Sequence, residues 1–192
     1  MLHEVKQILE KFNSGYDCIF ITGRAGTGKS TLLKNFVIEV GEKIAVTAPT
    51  GVAALNVYGE TLHSFFRIKP GISIEAAKIE AIKMEKTARA AVYKNLQYLI
   101  IDEISMVRAD LLDCIDMILR TIRKKDIEFG GVKVLMFGDL LQLPPVVENT
   151  EKDLLYSKYD SEYFFSSEVI GDLLNSMFPR FGIIELMKVH RQ

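Results

Sequence analysis

Apolar residues recur at helical spacing at Leu2, Val5, Ile8, Leu9 and Phe12, and Gly15 follows where such a helix would stop. The pattern then changes: Cys18–Thr22 is a short, almost wholly apolar run leading into glycines, the composition of a strand buried on both faces. Leu32, Leu33, Phe36, Val37 and Val40 restore the helical period, Gly41 ends it, and Ile44–Ala48 reads as a second buried strand. Residues 75–94 are helical in composition but only loosely periodic, and Tyr98–Ile101 is a third strand. Leu111, Leu112, Ile115, Ile118, Leu119 and Ile122 mark the best amphipathic helix, Phe129-Gly130-Gly131 a turn, and 132–137 and 183–186 two further strands. Between them, 150–182 is a Tyr/Phe/Ser-rich connection whose aromatics Tyr156, Tyr159, Tyr163, Phe164 and Phe165 read as packing. Strands alternating with helices predict an α/β fold, a parallel sheet with helices on both faces. With no repeat, low-complexity tract or linker, 1–192 reads as one domain.

Composition narrows this only slightly. A chain of 192 residues, 48% hydrophobic and 26% charged, is able to bury a core and is not disordered. Lys and Arg number 24 against 25 Asp and Glu, so no global basic surplus announces a nucleic-acid partner. Cys18 and Cys114 lie far apart, each in an apolar run, as buried small hydrophobes do. No apolar run approaches the roughly 18 residues of a membrane span, and the opening MLHEVKQILEKF is no signal peptide. The expectation is a soluble, cytoplasmic protein with no membrane partner.

Chemistry enters at Gly23-Arg24-Ala25-Gly26-Thr27-Gly28-Lys29-Ser30, the pattern G-x-x-x-x-G-K-S between a predicted buried strand and a predicted helix. Glycines let several backbone N–H groups converge on one phosphate, and the positive end of the following helix adds to their field. Gly23, Ala25, Gly26, Thr27, Gly28, Lys29, Ser30 and Thr31 form the candidate nucleotide site, with Lys29 at the terminal phosphates and Ser30 on Mg²⁺.

Asp102 and Glu103 emerge together at the carboxyl end of the third strand, where open α/β sheets place their ligands. Asp102 suits the metal's hydration shell, and Glu103 suits a general base on a water attacking the γ-phosphate. Such a pair favours hydrolysis over phosphate transfer, because a kinase keeps that water away. Gly138-Asp139-Leu140-Leu141-Gln142-Leu143-Pro144-Pro145 delivers Gln142 to the same edge, either as a γ-phosphate contact or as part of a plain proline-stiffened turn. Pro49, Thr50 and Gly51 offer a hydroxyl and backbone N–H groups to a nucleic-acid backbone, or a plain helix cap at Thr50. His63 with Phe65 and Phe66 pairs a polar ring with aromatics that either stack on bases or pack in the core.

In order, GRAGTGKS, APTGVAALNV, GETLHSFF, LIIDEISMV, FGGVKVLMFGDLLQLPPV and ELMKVHRQ resemble the successive motifs of a superfamily 1B DNA helicase of the Pif type. The resemblance covers nearly the whole chain, with 66–96 least informative. It implies a P-loop NTPase fold, the RecA-like first lobe of an ATP-driven motor moving 5′ to 3′ on single-stranded DNA, with work in DNA repair and telomere maintenance. It implies ATP and Mg²⁺ as cofactors, and Lys29, Glu103, Gln142 and an arginine finger, Arg191, as the catalytic set. Ser30 and Asp102 would serve the metal, and Pro49, Thr50, Gly51, His63, Phe65 and Pro144 the DNA path. The family carries an adenine-reading glutamine upstream of the phosphate loop, and Gln7 is the only candidate. It often has an aromatic residue where this chain has His190, before Arg191-Gln192. The later motifs are absent, so the resemblance also implies a fragment whose partner is the second RecA-like lobe of the same longer chain, acting as a monomer and nucleoid-associated if bacterial. Two other classes compete: a P-loop kinase of a nucleoside or small metabolite, for which no Arg-rich lid is found, and a nucleotide-gated binding module without turnover.

Overall fold

The computed structural model describes residues 2–187, so Arg191 lies outside the described residues. Helix α1 (Leu2–Asn13) precedes β1 (Cys18–Thr22), α2 (Lys29–Val40), β2 (Ile44–Ala48), α3 (Gly51–Asn56), the two-residue β3 (Glu60–Thr61) and α4 (Leu62–Phe66). There follow α5 (Ile74–Glu85), α6 (Ala90–Asn95), β4 (Tyr98–Ile101), α7 (Ala109–Arg123), β5 (Lys133–Gly138), α8 (Lys152–Lys158), α9 (Glu168–Leu174) and β6 (Phe181–Glu185). The six strands form one sheet in the order β3-β2-β4-β5-β1-β6, and every neighbouring pair is parallel.

Side chains alternate across this sheet with the strand period of two. Cys18 and Phe20, Leu99 and Ile101, and Val134 and Met136 join one core with α5 and α7, whereas Ile19 and Ile21, Ile100, and Leu135 and Phe137 join another with α1 and α2. Both faces are therefore covered, which is why these strands read as apolar runs and not as alternating ones. The predicted α/β class and buried strands are those found, and both cysteines are free and buried.

Differences lie where short elements are held by caps instead of period. The loosely periodic 75–94 is two helices, parted at Lys86–Arg89. Thr50, Thr61 and Ser73 each accept a hydrogen bond from the first turn of α3, α4 and α5. The connection 150–182 contains α8 and α9: the buried Asp113 carboxylate on α7 accepts from the N–H groups of Glu168 and Val169 at the head of α9 and from the Tyr159 hydroxyl. Of the aromatics there, Tyr159 and Phe164 are core, while Tyr163 and Phe165 stack with centroids 5.3 Å apart.

Arg123, at the end of α7, donates to the carbonyls of Tyr93, Lys94, Leu96 and Gly130 at 2.6 to 3.0 Å, tying α7 to the chain that enters β4. A lysine keeps the charge but not the planar fork. Arg123→Lys is expected to cost about 1–3 kcal/mol in urea unfolding at unchanged slope; a loss under about 0.5 kcal/mol would mean that water replaces the guanidinium freely.

Candidate functional site

The carboxyl ends of β1, β5 and β4 lie side by side, and each runs into one of the predicted motifs. From Thr22 the chain turns through Gly23, Gly26 and Gly28, whose φ of +154°, +80° and +93° side-chain-bearing residues rarely adopt. At Gly23 space is short as well: a Cβ there would stand 2.7 Å from the Thr27 hydroxyl and 2.8 Å from the Leu186 carbonyl. Thr27 is buried and donates to the Arg24 carbonyl at 2.8 Å, closing the loop. Lys29 opens α2 and donates through Nζ to the carbonyls of Gly23 and Arg24, which keeps the ammonium over the loop mouth. Ala25, Gly26, Ser30 and Thr31 are exposed around it. The loop thus presents a helix N-terminus, a cation and a hydroxyl on one side, a ready anion site.

Two strands away, at roughly 10 Å for a strand spacing of about 4.8 Å, β4 delivers the acidic pair. Asp102 is buried, and its N–H donates to the Thr47 carbonyl at 2.8 Å. Burial, and then the neighbouring charge of Glu103, push its carboxyl up to about 6, against a smaller pull from Lys29. Glu103 sits in the left-handed region at φ 51°, ψ 45°, uncommon for a residue with a side chain and of the kind that collects at working sites. The turn then closes as a 3₁₀ element over Ile104–Met106. Within it Ser105 is buried, with no hydrogen-bond partner for its hydroxyl among the described residues. Such a group costs about 1–3 kcal/mol.

Between these two motifs β5 brings the third. Thr22 and Gly138 are paired in register, and Gly138 packs against the acidic turn so tightly that a Cβ would stand 2.8 Å from Ile104 Cγ2. Asp139 caps the next turn, accepting from the Leu141 N–H, while its carbonyl accepts from the Gln142 N–H. Gln142 and Pro144 are exposed on that loop. Sequence reasoning reached Lys29, Asp102, Glu103 and Gln142, but not Ser105, Gly138 or Leu186, whose meaning comes from what they touch across the sheet.

A cleft of about 440 Å³ runs alongside, lined by Pro49, Thr50, His63, Arg108 and Val146. Pro49, Thr50 and His63 are therefore brought together, Gly51 is exposed beside them, and Pro144 lies on the loop that continues to Val146. Thr50 does cap α3, accepting from the Ala53 N–H at 3.2 Å, and its hydroxyl keeps a hydrogen to donate. His63 is half-buried, and burial lowers its pKa, so the ring is a neutral hydrogen-bonding group at pH 7. Phe65 is a correction. It is buried, its ring 5.0 Å from Phe66 and 5.5 Å from Tyr93 with Arg89 over it, so no face is free to stack on a base. A second cleft, about 320 Å³, places Gln7 beside Thr27, Gly28 and Leu186.

Among the described residues no three His, Cys, Asp or Glu side chains gather as a metal cage. The donors present, the Ser30 hydroxyl and the Asp102 carboxylate, are hard oxygens that suit a cation keeping phosphate and water among its ligands, as Mg²⁺ does.

Because the folded pKa of Asp102 is raised, ionising it opposes folding: the cost is absent below the ordinary value of 3.8, grows between there and about 6 while only the unfolded chain has lost its proton, and is complete above that. Asp102→Asn, without nucleotide, is expected to stabilise the fold by about 1–3 kcal/mol at pH 8 and by far less at about pH 4, close to the unfolded pKa. Equal effects at both pH values in thermal unfolding would show that the carboxylate is not desolvated.

Comparison with known proteins gives a family and its extent. The family model described as PIF1-like helicase matches residues 3–168. The chain is 36% identical over 194 residues to the ATP-dependent DNA helicase PIF1 of Saccharomyces cerevisiae, covering 96% of this chain and 22% of that protein. It is 43% identical over 134 residues to the human ATP-dependent DNA helicase PIF1, covering 69% and 21%. The Pif1 helicase of Bacteroides, solved in complex with ADP-AlF3 and single-stranded DNA, superposes with a TM-score of 0.81 at 38% identity, covering 98% of this chain and 42% of that one. The chain spans about a fifth of the length of the curated relatives it matches. With a phosphate loop, an acidic turn and a glutamine loop at adjoining strand ends, and with a family match over most of its length, the chain belongs to the PIF1-like helicases.

Proposed function

We propose that this chain is the ATP-binding and ATP-hydrolysing lobe of a DNA helicase that moves 5′ to 3′ on single-stranded DNA. The observation that carries the reading is the position of β5, which sets the Gln142 loop between the phosphate loop and the acidic turn. In this reading the N–H groups of 23–28 and the Lys29 ammonium hold the phosphates. Ser30 ligates Mg²⁺ and Asp102 holds its hydration shell; bound there, the ion neutralises charge building on the β- and γ-phosphate oxygens. Glu103 takes a proton from the attacking water, and Gln142 contacts the γ-phosphate. Gln7, which lines the cleft with Thr27 and Gly28, is the proposed reader of the adenine. Arg191, outside the described residues, is proposed as the arginine finger.

The cleft with Pro49, Thr50 and His63 adjoins this edge and is proposed as the DNA path, gripping backbone through hydroxyl, imidazole and N–H groups. The second RecA-like lobe is proposed as the other wall of the nucleotide cleft, closing to exclude water from the γ-phosphate.

The tests use the longest natural protein that carries this lobe. Glu103→Gln is expected to keep ATP affinity and lower DNA-stimulated hydrolysis about 100- to 10,000-fold; a loss below tenfold removes Glu103 as the base. Affinity for single-stranded DNA, read by fluorescence anisotropy, is expected to fall with salt, log K changing by about −0.7 per log salt for each phosphate gripped. Equal, salt-insensitive binding of duplex and single strand defeats the motor reading.

A further inference from the structure

Ser105 lies two residues beyond Glu103 and is 1% exposed, with no hydrogen-bond partner for its hydroxyl among the described residues. Nearby hydroxyls at similar depth are satisfied, Thr47 by the Ile100 carbonyl and Thr27 by that of Arg24. Nor is the turn loose: the Met106 N–H donates to the Glu103 carbonyl at 3.0 Å and the Val107 N–H to that of Ile104 at 2.9 Å. What lies against it is the end of β5, where a Cβ on Gly138 would stand 3.2 Å from the Ser105 nitrogen. The next residue is Asp139, buried, with one carboxylate oxygen on the Leu141 N–H and its carbonyl on the Gln142 N–H. The backbone of the turn that carries the unmatched donor, and the strand end that leads into the residue anchoring the glutamine loop, thus meet at Gly138.

We propose that Ser105 is a positioning residue that locks the acidic turn to the glutamine loop: when Gln142 is drawn to the γ-phosphate, the Ser105 hydroxyl donates to the second oxygen of Asp139. This rests on the hydrolytic reading above. A hydroxyl-to-carboxylate bond is charge-assisted, and because it forms only in the engaged arrangement it acts on turnover and not on nucleotide binding. Its effect is to hold Glu103, whose direction is set by the left-handed backbone of the same turn, against the attacking water.

The test uses the same full-length protein. Ser105→Ala removes an unpaired buried hydroxyl, so the variant is expected to melt at the parent temperature or above it. At the same time its DNA-stimulated kcat falls at least tenfold with KM for ATP within twofold. In an Asp139→Ala background the same substitution is expected to lower kcat no further. A kcat within twofold of the parent overturns the proposal, as does a melting temperature several degrees lower, which would mean the hydroxyl is already bonded, or losses that multiply in the double variant. If the unsubstituted protein shows no DNA-stimulated turnover, the hydrolytic reading itself falls and takes this lock with it.

Discussion

The two hydrogen-bond ladders that hold β5 between β1 and β4 govern the geometry of the site. Chain order alone would leave the phosphate loop, the acidic pair and the glutamine loop scattered over more than a hundred residues. The register that sets Thr22 beside Gly138 and Ile101 beside Met136 brings all three to one level of one edge. Because parallel strands all end on the same side, the sheet also fixes their direction. Gly138 is the hinge-pin of this arrangement, since any side chain there would push the acidic turn away.

Three kinds of cost that occur singly elsewhere, a desolvated carboxylate as at Asp116, a left-handed backbone as at Lys43 and Arg67, and an unmatched polar atom, meet in that turn. Asp113 and Asp116 are buried carboxylates too, yet the first accepts three hydrogen bonds and the second is met by Arg120 and the Phe129 N–H. Arg123, half-buried and without a carboxylate, is surrounded by carbonyls. Asp102, by contrast, is buried beside another carboxylate, Glu103 holds a left-handed backbone, and Ser105 lacks a partner, all within four residues. A fold selected for stability alone would relax these; their concentration marks the place where activity takes precedence.

How far this was legible from sequence follows from the range of each interaction. Lys29, Ser30, Asp102 and Glu103 belong to local patterns, a glycine turn before a helix and an apolar run ending in acids, and local patterns survive in one dimension. The strands were legible because burial on both faces leaves unbroken apolar runs. The helices α8 and α9 were not, since seven residues carry too little period and what fixes α9 is Asp113, 55 residues earlier. Phe65 was misassigned to the DNA path for the same reason: nothing adjacent announces Tyr93 and Arg89 as the residues that cover it. Ser105 is silent in sequence altogether, a small polar residue whose significance is an absent bond.

The contact between Gly23 and Leu186 also has a mechanical side. β6 lies parallel to β1 over five residue pairs, from Cys18–Phe181 to Thr22–Glu185, and Leu186 adds a further bond to the Thr22 carbonyl. A pull on Leu186 directed along the strand axis loads these bonds in shear. Bonds loaded in shear share the force together, whereas bonds at a peeling edge break one by one. The first glycine of the phosphate loop, wedged against the Leu186 carbonyl, sits at the point where that force enters the sheet. An axial pull on β6 is thereby delivered next to the phosphate loop, through bonds that carry it together.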